Sequence, residues 1–348
     1  MRFENVELHN VAKLVPADSG GHDLQRVPDG VRSVMNDWGK TFTRHGAGCE
    51  IRFNVVPGSV AAITLRVTED NVIPPLASVF MGEFCCKVVH VGREPTTITF
   101  DPAKLAVYPE KLHRVAASRA VRFDAGLVRI CLPHLHAVRL LSIEGDLTPP
   151  RAEQLPPRRY LAYGSSITHG AYAITPECSY VMLTAKALGA DLINLGFGGA
   201  ARMEPEMAAY IAGRDDWDFA TLEMGINVGD WSTQQFRDTI EPFVQTIAMA
   251  HPDKWIFCID LFTFEGDFNP DPPTAVSFRQ IVAETVTKIN GPKVVHLDGR
   301  KLLTDPRNLW MELVHPSADG MFEIASKLAE AVESSSKGEV RRSKQEVK

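Results

Sequence analysis

Two adjacent serines stand in the stretch Y-G-S-S-I-T-H-G, residues 163–170, where an apolar run gives way to helical spacing. A serine hydroxyl is a poor nucleophile at neutral pH and needs a neighbouring base to take its proton. Histidine suits that task because its unperturbed pKa lies near working pH, and an acid on its other ring nitrogen fixes the tautomer. The chain offers both near its carboxyl end, in Glu312-Leu313-Val314-His315. Glu312 reaches His315 if the residues between them make a single turn. Asp260 and Asp298, each ending a later apolar run, compete with it. Ser165 and Ser166 compete as well, because successive residues leaving a strand point in opposite directions. The serine that does not face a site is placed to cap the following helix.

These residues need elements to hold them together. Y-L-A-Y (160–163), D-L-I-N-L (191–195), F-A-T-L-E-M (219–224), W-I-F-C-I-D (255–260) and V-V-H-L-D (294–298) are compact apolar runs. Between or after them lie segments with helical spacing at 180–188, 205–212, 234–250, 275–289 and 321–332. Alternation of this kind predicts an open parallel sheet with helices on both faces. Ligands of such sheets bind at the carboxyl ends of the strands. There the sequence places Gly164-Ser165-Ser166, Gly196-Phe197-Gly198-Gly199 and Glu223-Met224-Gly225-Ile226-Asn227.

In this order the fragments resemble the SGNH hydrolases, also called GDSL esterases, over roughly residues 158–335. That family is named for a serine, a glycine, an asparagine and a histidine in four separate blocks. The resemblance implies a flavodoxin-like three-layer fold with a central parallel sheet. It selects Ser166 as nucleophile, since the family serine is third in its first block, and implies His315 as base with Glu312 as its acid. The backbone N–H groups of Ser166 and Gly199 and the side-chain amide of Asn227 are then the donors for an oxyanion. Three positions depart from the family pattern: Ser165 replaces its usual Asp, Val228 stands where Asp often follows the third-block Asn, and Glu312 replaces the commoner Asp. No metal and no organic cofactor is implied.

Residues from about 40 to 145 read differently, as short runs such as A-A-I-T-L-R-V, C-C-K-V-V-H-V, T-T-I-T-F and R-A-V-R-F punctuated by turn signals. They predict an all-β sandwich of jelly-roll-like form. Four prolines in P-P-R-A-E-Q-L-P-P-R-R favour an extended linker. The expected division is therefore a β-sandwich domain at 1–148, a linker at 149–159, a hydrolase domain at 160–335 and a charged tail at 336–348. Sugar binding, walling the active site and homo-oligomerisation are the three roles open to the first domain. Trp38 and Phe42 read as core packing in preference to sugar stacking.

A net charge of −6 over 348 residues argues against nucleic acid as a partner. The chain has no apolar run of the ~18–20 residues a membrane span needs and no signal-like amino terminus. Six scattered cysteines read as buried free thiols of a cytoplasmic protein. Residues 196–201 fit G-x-G-x-x-A, a dinucleotide fingerprint, but on the second strand and not the first. Thr168 occupies the second glycine of a G-x-S-x-G elbow, which argues against an α/β-hydrolase. His134 and His136 would share a strand face with no third metal ligand nearby, and His169 is expected near the site mouth. Trp217, Trp231 and Trp255 read as packing, with Trp231 also near the third block. The expected activity is removal of a small acyl group, acetyl above all, from an oxygen of a carbohydrate or similar polar substrate. Long-chain lipase or thioesterase action, acetyl transfer, and silent carbohydrate binding are the alternatives.

Overall fold

The computed structural model describes residues 1–105, 109–118, 121–269 and 273–346. The amino-terminal half is a sandwich of two antiparallel sheets, as expected. One joins, in order, Arg2–Phe3, Val6–His9, Glu50–Val55, Val128–Cys131, Leu76–Met81 and Phe84–His90, with Leu147–Thr148 also paired to Glu50–Val55. The other joins Lys13–Pro16, His22–Gln25, Val138–Glu144, Ala61–Val67 and Thr96–Phe100. Strict alternation turns Ala61, Ile63, Leu65 and Val67 inward. They share one core with Ile51, Phe53, Val128 and Ile130 of the facing sheet.

Two expectations for this half need correction. Strands begin at Arg2 and not near residue 40. The run R-A-V-R-F forms no strand over Val121–Phe123, while Arg119 and Ala120 lie outside the described residues. Side chains tie that segment down instead: Arg122 Nε donates to Glu83 at 2.8 Å, and the Phe123 ring lies 3.6 Å from the Arg129 guanidinium. The proline-rich segment is also fastened to the sandwich. Its Gln154 is buried and exchanges side-chain hydrogen bonds with Asn54 at 2.8 and 3.0 Å.

The carboxyl-terminal half holds five parallel strands: β1 (Arg158–Gly164), β2 (Ala190–Gly196), β3 (Phe219–Glu223), β4 (Trp255–Ile259) and β5 (Val294–Leu297). Their order is β2-β1-β3-β4-β5, that of flavodoxin-like sheets. The helices used below are α1 (Ser166–His169), α2 (Tyr180–Ala187), α3 (Pro205–Ala212), α4 (Thr233–Ala250), α5 (Pro273–Ile289), α6 (Gly299–Leu302) and α7 (Ala318–Glu346). Leu161, Tyr163 and Leu222 pack on one face of the sheet against Met207, Phe236 and Phe278 of α3, α4 and α5. Tyr160, Ala162 and Phe257 pack on the other against Val181 and Leu328 of α2 and α7. The α7 backbone stays helical to Glu346, through most of the expected tail; Val347 and Lys348 lie outside the described residues.

The two halves share a core. Val27, Val31 and Met35, in and beside the short helix Asp29–Val34, join Phe197, Ala200 and Met207. No described helix is long and apolar enough to cross a membrane. All six cysteines are free. Cys49, Cys131 and Cys258 are buried, but Cys85 and Cys86 are exposed on Phe84–His90, where the strand has a neighbour on one side alone.

Candidate active site

The turn after β1 separates the two serines by job. Ser165 caps α1, its hydroxyl oxygen accepting the N–H of Ile167 at 3.1 Å. Ser166 opens the helix, and its Oγ lies 2.7 Å from His315 Nε2. His315 Nδ1 lies 2.8 Å from Glu312 Oε1. Leu313, between them, sits in the left-handed region at φ 57°. That bend is tight enough for the Glu312 carboxylate to accept the backbone N–H groups of Val314 at 2.8 Å and His315 at 3.0 Å. The loop is pinned at both ends, by Trp310 N–H to the His315 carbonyl at 2.8 Å and Glu265 N–H to the Leu313 carbonyl at 2.7 Å. The competing acids are committed elsewhere. Asp260 is buried and accepts from His296 Nε2 and Gly299 N, both at 2.7 Å. Asp298 caps α6 and pairs with Arg300 at 3.0 Å.

Three hydrogen-bond donors surround the serine. The register of β1 and β2 pairs Gly164 with Gly196, so the chain leaving β2 passes against α1. A Cβ at Gly196 would lie 2.2 Å from the His169 nitrogen, so only glycine fits there. Gly199 follows at φ 63°. Asn227 lies in the turn after β3, where its side-chain oxygen accepts Ala201 N–H at 3.1 Å and so orients the amide. Among the described residues, the N–H of Ser166, the N–H of Gly199 and the Nδ2 of Asn227 have no acceptor. Donors left unmatched in a half-buried cleft suit a negative charge that forms during reaction.

The shell behind these groups contains residues whose role the sequence did not disclose. Glu223 is buried under the serine turn, accepting Ser165 N–H at 2.6 Å and the Thr168 hydroxyl at 3.1 Å. Burial pushes its carboxyl up, against those hydrogen bonds. It therefore holds the serine turn from beneath. His169 is buried, not at the site mouth. Its Nε2 lies 2.9 Å from the His134 carbonyl oxygen, and its Nδ1 accepts the N–H of Gly198 at 3.3 Å. Only the neutral ring with its proton on Nε2 can do both. Burial, then the Arg26 charge, holds its pKa well below the ordinary value. His134 and His136 are buried on a turn after Cys131 and not on a strand, with His134 Nε2 3.0 Å from the Gly170 carbonyl oxygen.

The amino-terminal half reaches the same place. Arg26, fully buried, donates to the carbonyls of Asn194 at 3.0 Å, Gly196 at 2.9 Å and Phe42 at 2.8 Å. Asn36 caps the helix Asp37–Phe42 through Gly39 N–H at 2.8 Å while its Nδ2 donates to the Gly199 carbonyl at 3.2 Å. Asparagine before a helix is readable as a cap, but its second partner lies in the other half of the chain. Phe42 packs on the His169 ring at 5.5 Å, whereas Trp38, expected in a core, is 67% exposed. Tyr172 flanks His315 at 5.1 Å and Trp310 at 4.9 Å; nothing in the local sequence singled out either aromatic. Trp217 is buried, and Trp231, half-buried, lies under the Arg202 guanidinium at 5.1 Å.

The model of the GDSL-like Lipase/Acylhydrolase family matches residues 158–333. Similar folds extend over both halves of the chain. A salicylyl-acyltransferase from a tetracycline biosynthetic pathway is 19% identical, with 95% of each chain covered and a TM-score of 0.76. A family two carbohydrate esterase from Cellvibrio japonicus is 16% identical, with 96% of each chain covered and a TM-score of 0.61. An acetyl xylan esterase from the rumen bacterium Butyrivibrio proteoclasticus is 12% identical, with 96% of each chain covered and a TM-score of 0.58. No curated protein sequence matches the chain.

Proposed function

The chain belongs to the GDSL-like lipase/acylhydrolase family and is a carboxylic ester hydrolase; within that class we propose that it removes a small acyl group, acetyl above all, from a carbohydrate or similar polar alcohol. Ser166 attacks the ester carbonyl while His315 Nε2 takes the hydroxyl proton. Glu312 holds the ring by Nδ1 and offsets the charge it gains. The oxyanion of the tetrahedral intermediate is bound by Ser166 N–H, Gly199 N–H and Asn227 Nδ2. His315 returns its proton to the departing alkoxide, leaving an acyl-serine. Water then attacks that ester with His315 as base, and the carboxylate leaves as Ser166 regains its proton.

The observation that carries this reading is the continuous relay Ser166–His315–Glu312, at 2.7 and 2.8 Å, facing three unmatched donors. The sugar-ester assignment draws on likeness to a carbohydrate esterase and an acetyl xylan esterase over both halves, an analogy of fold. A second reading, transfer of the acyl group to an acceptor alcohol in place of water, draws on the likeness to an acyltransferase. Six free thiols suit a reducing, cytoplasmic setting.

Hydrolysis of p-nitrophenyl acetate by the wild type, Ser166→Ala and Ser165→Ala tests the assignment. Ser166→Ala is expected to lower kcat by about 10⁴-fold or more. Ser165→Ala removes a helix cap and should cost stability of about 1 kcal/mol with activity retained. Abolition with Ser165→Ala alone would overturn the choice of nucleophile. Release of acetyl esters in place of acetate when a sugar alcohol is added would favour the transferase.

A further inference from the structure

On the amino-terminal half lies a cavity of about 400 Å³ lined by residues including Asp37, Trp38, Phe42, His45, Asp70 and Asn71. It borders the reaction centre through Phe42. A Cβ placed on Gly198 would touch the Phe42 ring at 3.1 Å on one side and Ser166 Cβ at 3.5 Å on the other. Trp38 stands one helical turn from Phe42, 5.7 Å between ring centroids, and keeps two thirds of its surface exposed. Its helix is held by Asn36, the same residue that bonds the Gly199 carbonyl. An aromatic face is therefore fixed, and not left to chance, at a set distance from the oxyanion site.

The charges around the cavity decide what it would accept. Asp37 lies 3.6 Å from Lys40, and Asp70 lies 2.9 Å from Arg93. Glu69, also in the lining, lies 2.5 Å from His45 Nε2, and burial holds the His45 pKa below its ordinary value. Lys40 and Arg93 thus offset Asp37 and Asp70, while Glu69 faces a neutral imidazole, so a single carboxylate charge remains at the rim and not a strongly negative field. What remains is a mixture of acceptors and donors around an aromatic plate. His45 itself is buried behind this rim. A neutral polyhydroxylated ring satisfies both demands, its apolar face on Trp38 and its hydroxyls on the rim.

We propose that this cavity is a subsite for the alcohol portion of the ester, contributed by the amino-terminal half, and that it takes a sugar ring stacked on Trp38. The inference rests on the sugar-esterase reading above, deepening it to a named surface. The test uses the full chain with Trp38→Ala and Trp38→Phe, xylose tetraacetate, acetylcholine and p-nitrophenyl acetate as esters, and methyl β-xylopyranoside as a non-hydrolysable ligand. Trp38→Ala should lower kcat/KM for the sugar ester by about tenfold more than for p-nitrophenyl acetate, with Trp38→Phe restoring most of it. Xyloside binding, followed by titration calorimetry, should weaken in the same variant. Equal losses on both esters would mean that Trp38 acts only on the frame of the site, and overturn the subsite. A loss confined to acetylcholine would overturn the choice of a neutral ligand. Should the wild type hydrolyse no ester, the esterase reading fails. Xyloside binding that depends on Trp38 would then still uphold the subsite, and binding indifferent to it would sink it.

Discussion

At the scale of single residues, the family pattern points to the nucleophile, the base and the acid, and the choice among acids turns on backbone geometry. Asp260 and Asp298 follow the carboxyl ends of β4 and β5, whereas Glu312 stands three residues before His315, a spacing that favours it only if the chain bends tightly between them. What separates them is Leu313 at φ 57°, a conformation that no residue type in E-L-V-H advertises. It folds Glu312 back on His315, while His296 and Arg300 occupy the other two acids. Glu312→Gln keeps the volume but loses the charge that stabilises the imidazolium. It is expected to lower kcat by about 10³–10⁴-fold with KM little changed. Asp298→Asn should leave kcat within about threefold, because its carboxylate serves only a helix cap and Arg300. Steady-state kinetics on p-nitrophenyl acetate checks both, and the reverse ranking would transfer the role from Glu312.

At the scale of elements, legibility followed periodicity. Every parallel strand and every long helix of the carboxyl half was readable, because apolar runs alternate with 3.6-residue spacing. Short strands such as Val6–His9 were not, since four residues give too little alternation to count. The contacts of His169 were equally hidden, because they depend on how closely α1 approaches β2. Their consequence is a pH effect with a definite sign. Burial holds His134 at about 4 and His169 well below 6.5, with His136 and His45 facing His134 and with Arg26, His45 and His134 facing His169. Above pH 6.5 both rings are neutral whether the chain is folded or not. Below it the unfolded chain binds protons that the folded chain refuses, so stability falls until the folded pKa is reached. For His134 alone the loss approaches about 3 kcal/mol near pH 4. Asp191, held at about 2 by Arg52 against the opposing effect of burial, acts only below 3.8 and stays out of this window. The urea midpoint should therefore drop clearly between pH 7.5 and pH 5, and by less in His134→Gln. A midpoint that is flat across that range would show the rings to be freely protonated.

At the scale of the whole molecule, the two halves that composition separates are joined by a buried ionic chain. Arg52 of the sandwich holds Asp191 of β2 through two bonds at 2.6 and 2.7 Å and Glu50 at 2.8 Å, and Arg129 pairs with Glu50 in turn. All four side chains are buried. None of this was visible in the sequence, where Arg52 and Asp191 stand on strands that predict only local pairing. Replacing one member leaves a charge stranded in a dry interface, so Arg52→Met should cost about 3–5 kcal/mol. Adding Asp191→Asn should return part of that loss, because the stranded charge goes with it. The same interface bears on catalysis. Arg26 and Asn36 fix the carbonyls of Gly196 and Gly199, so the oxyanion loop takes part of its shape from the sandwich. Weakening the interface should then lower activity and stability together. In urea, activity and near-ultraviolet circular dichroism are expected to be lost in one shared transition, shifted downward in Arg52→Met. Two separated transitions, with activity following only the second, would mean that the hydrolase half keeps its oxyanion loop unaided.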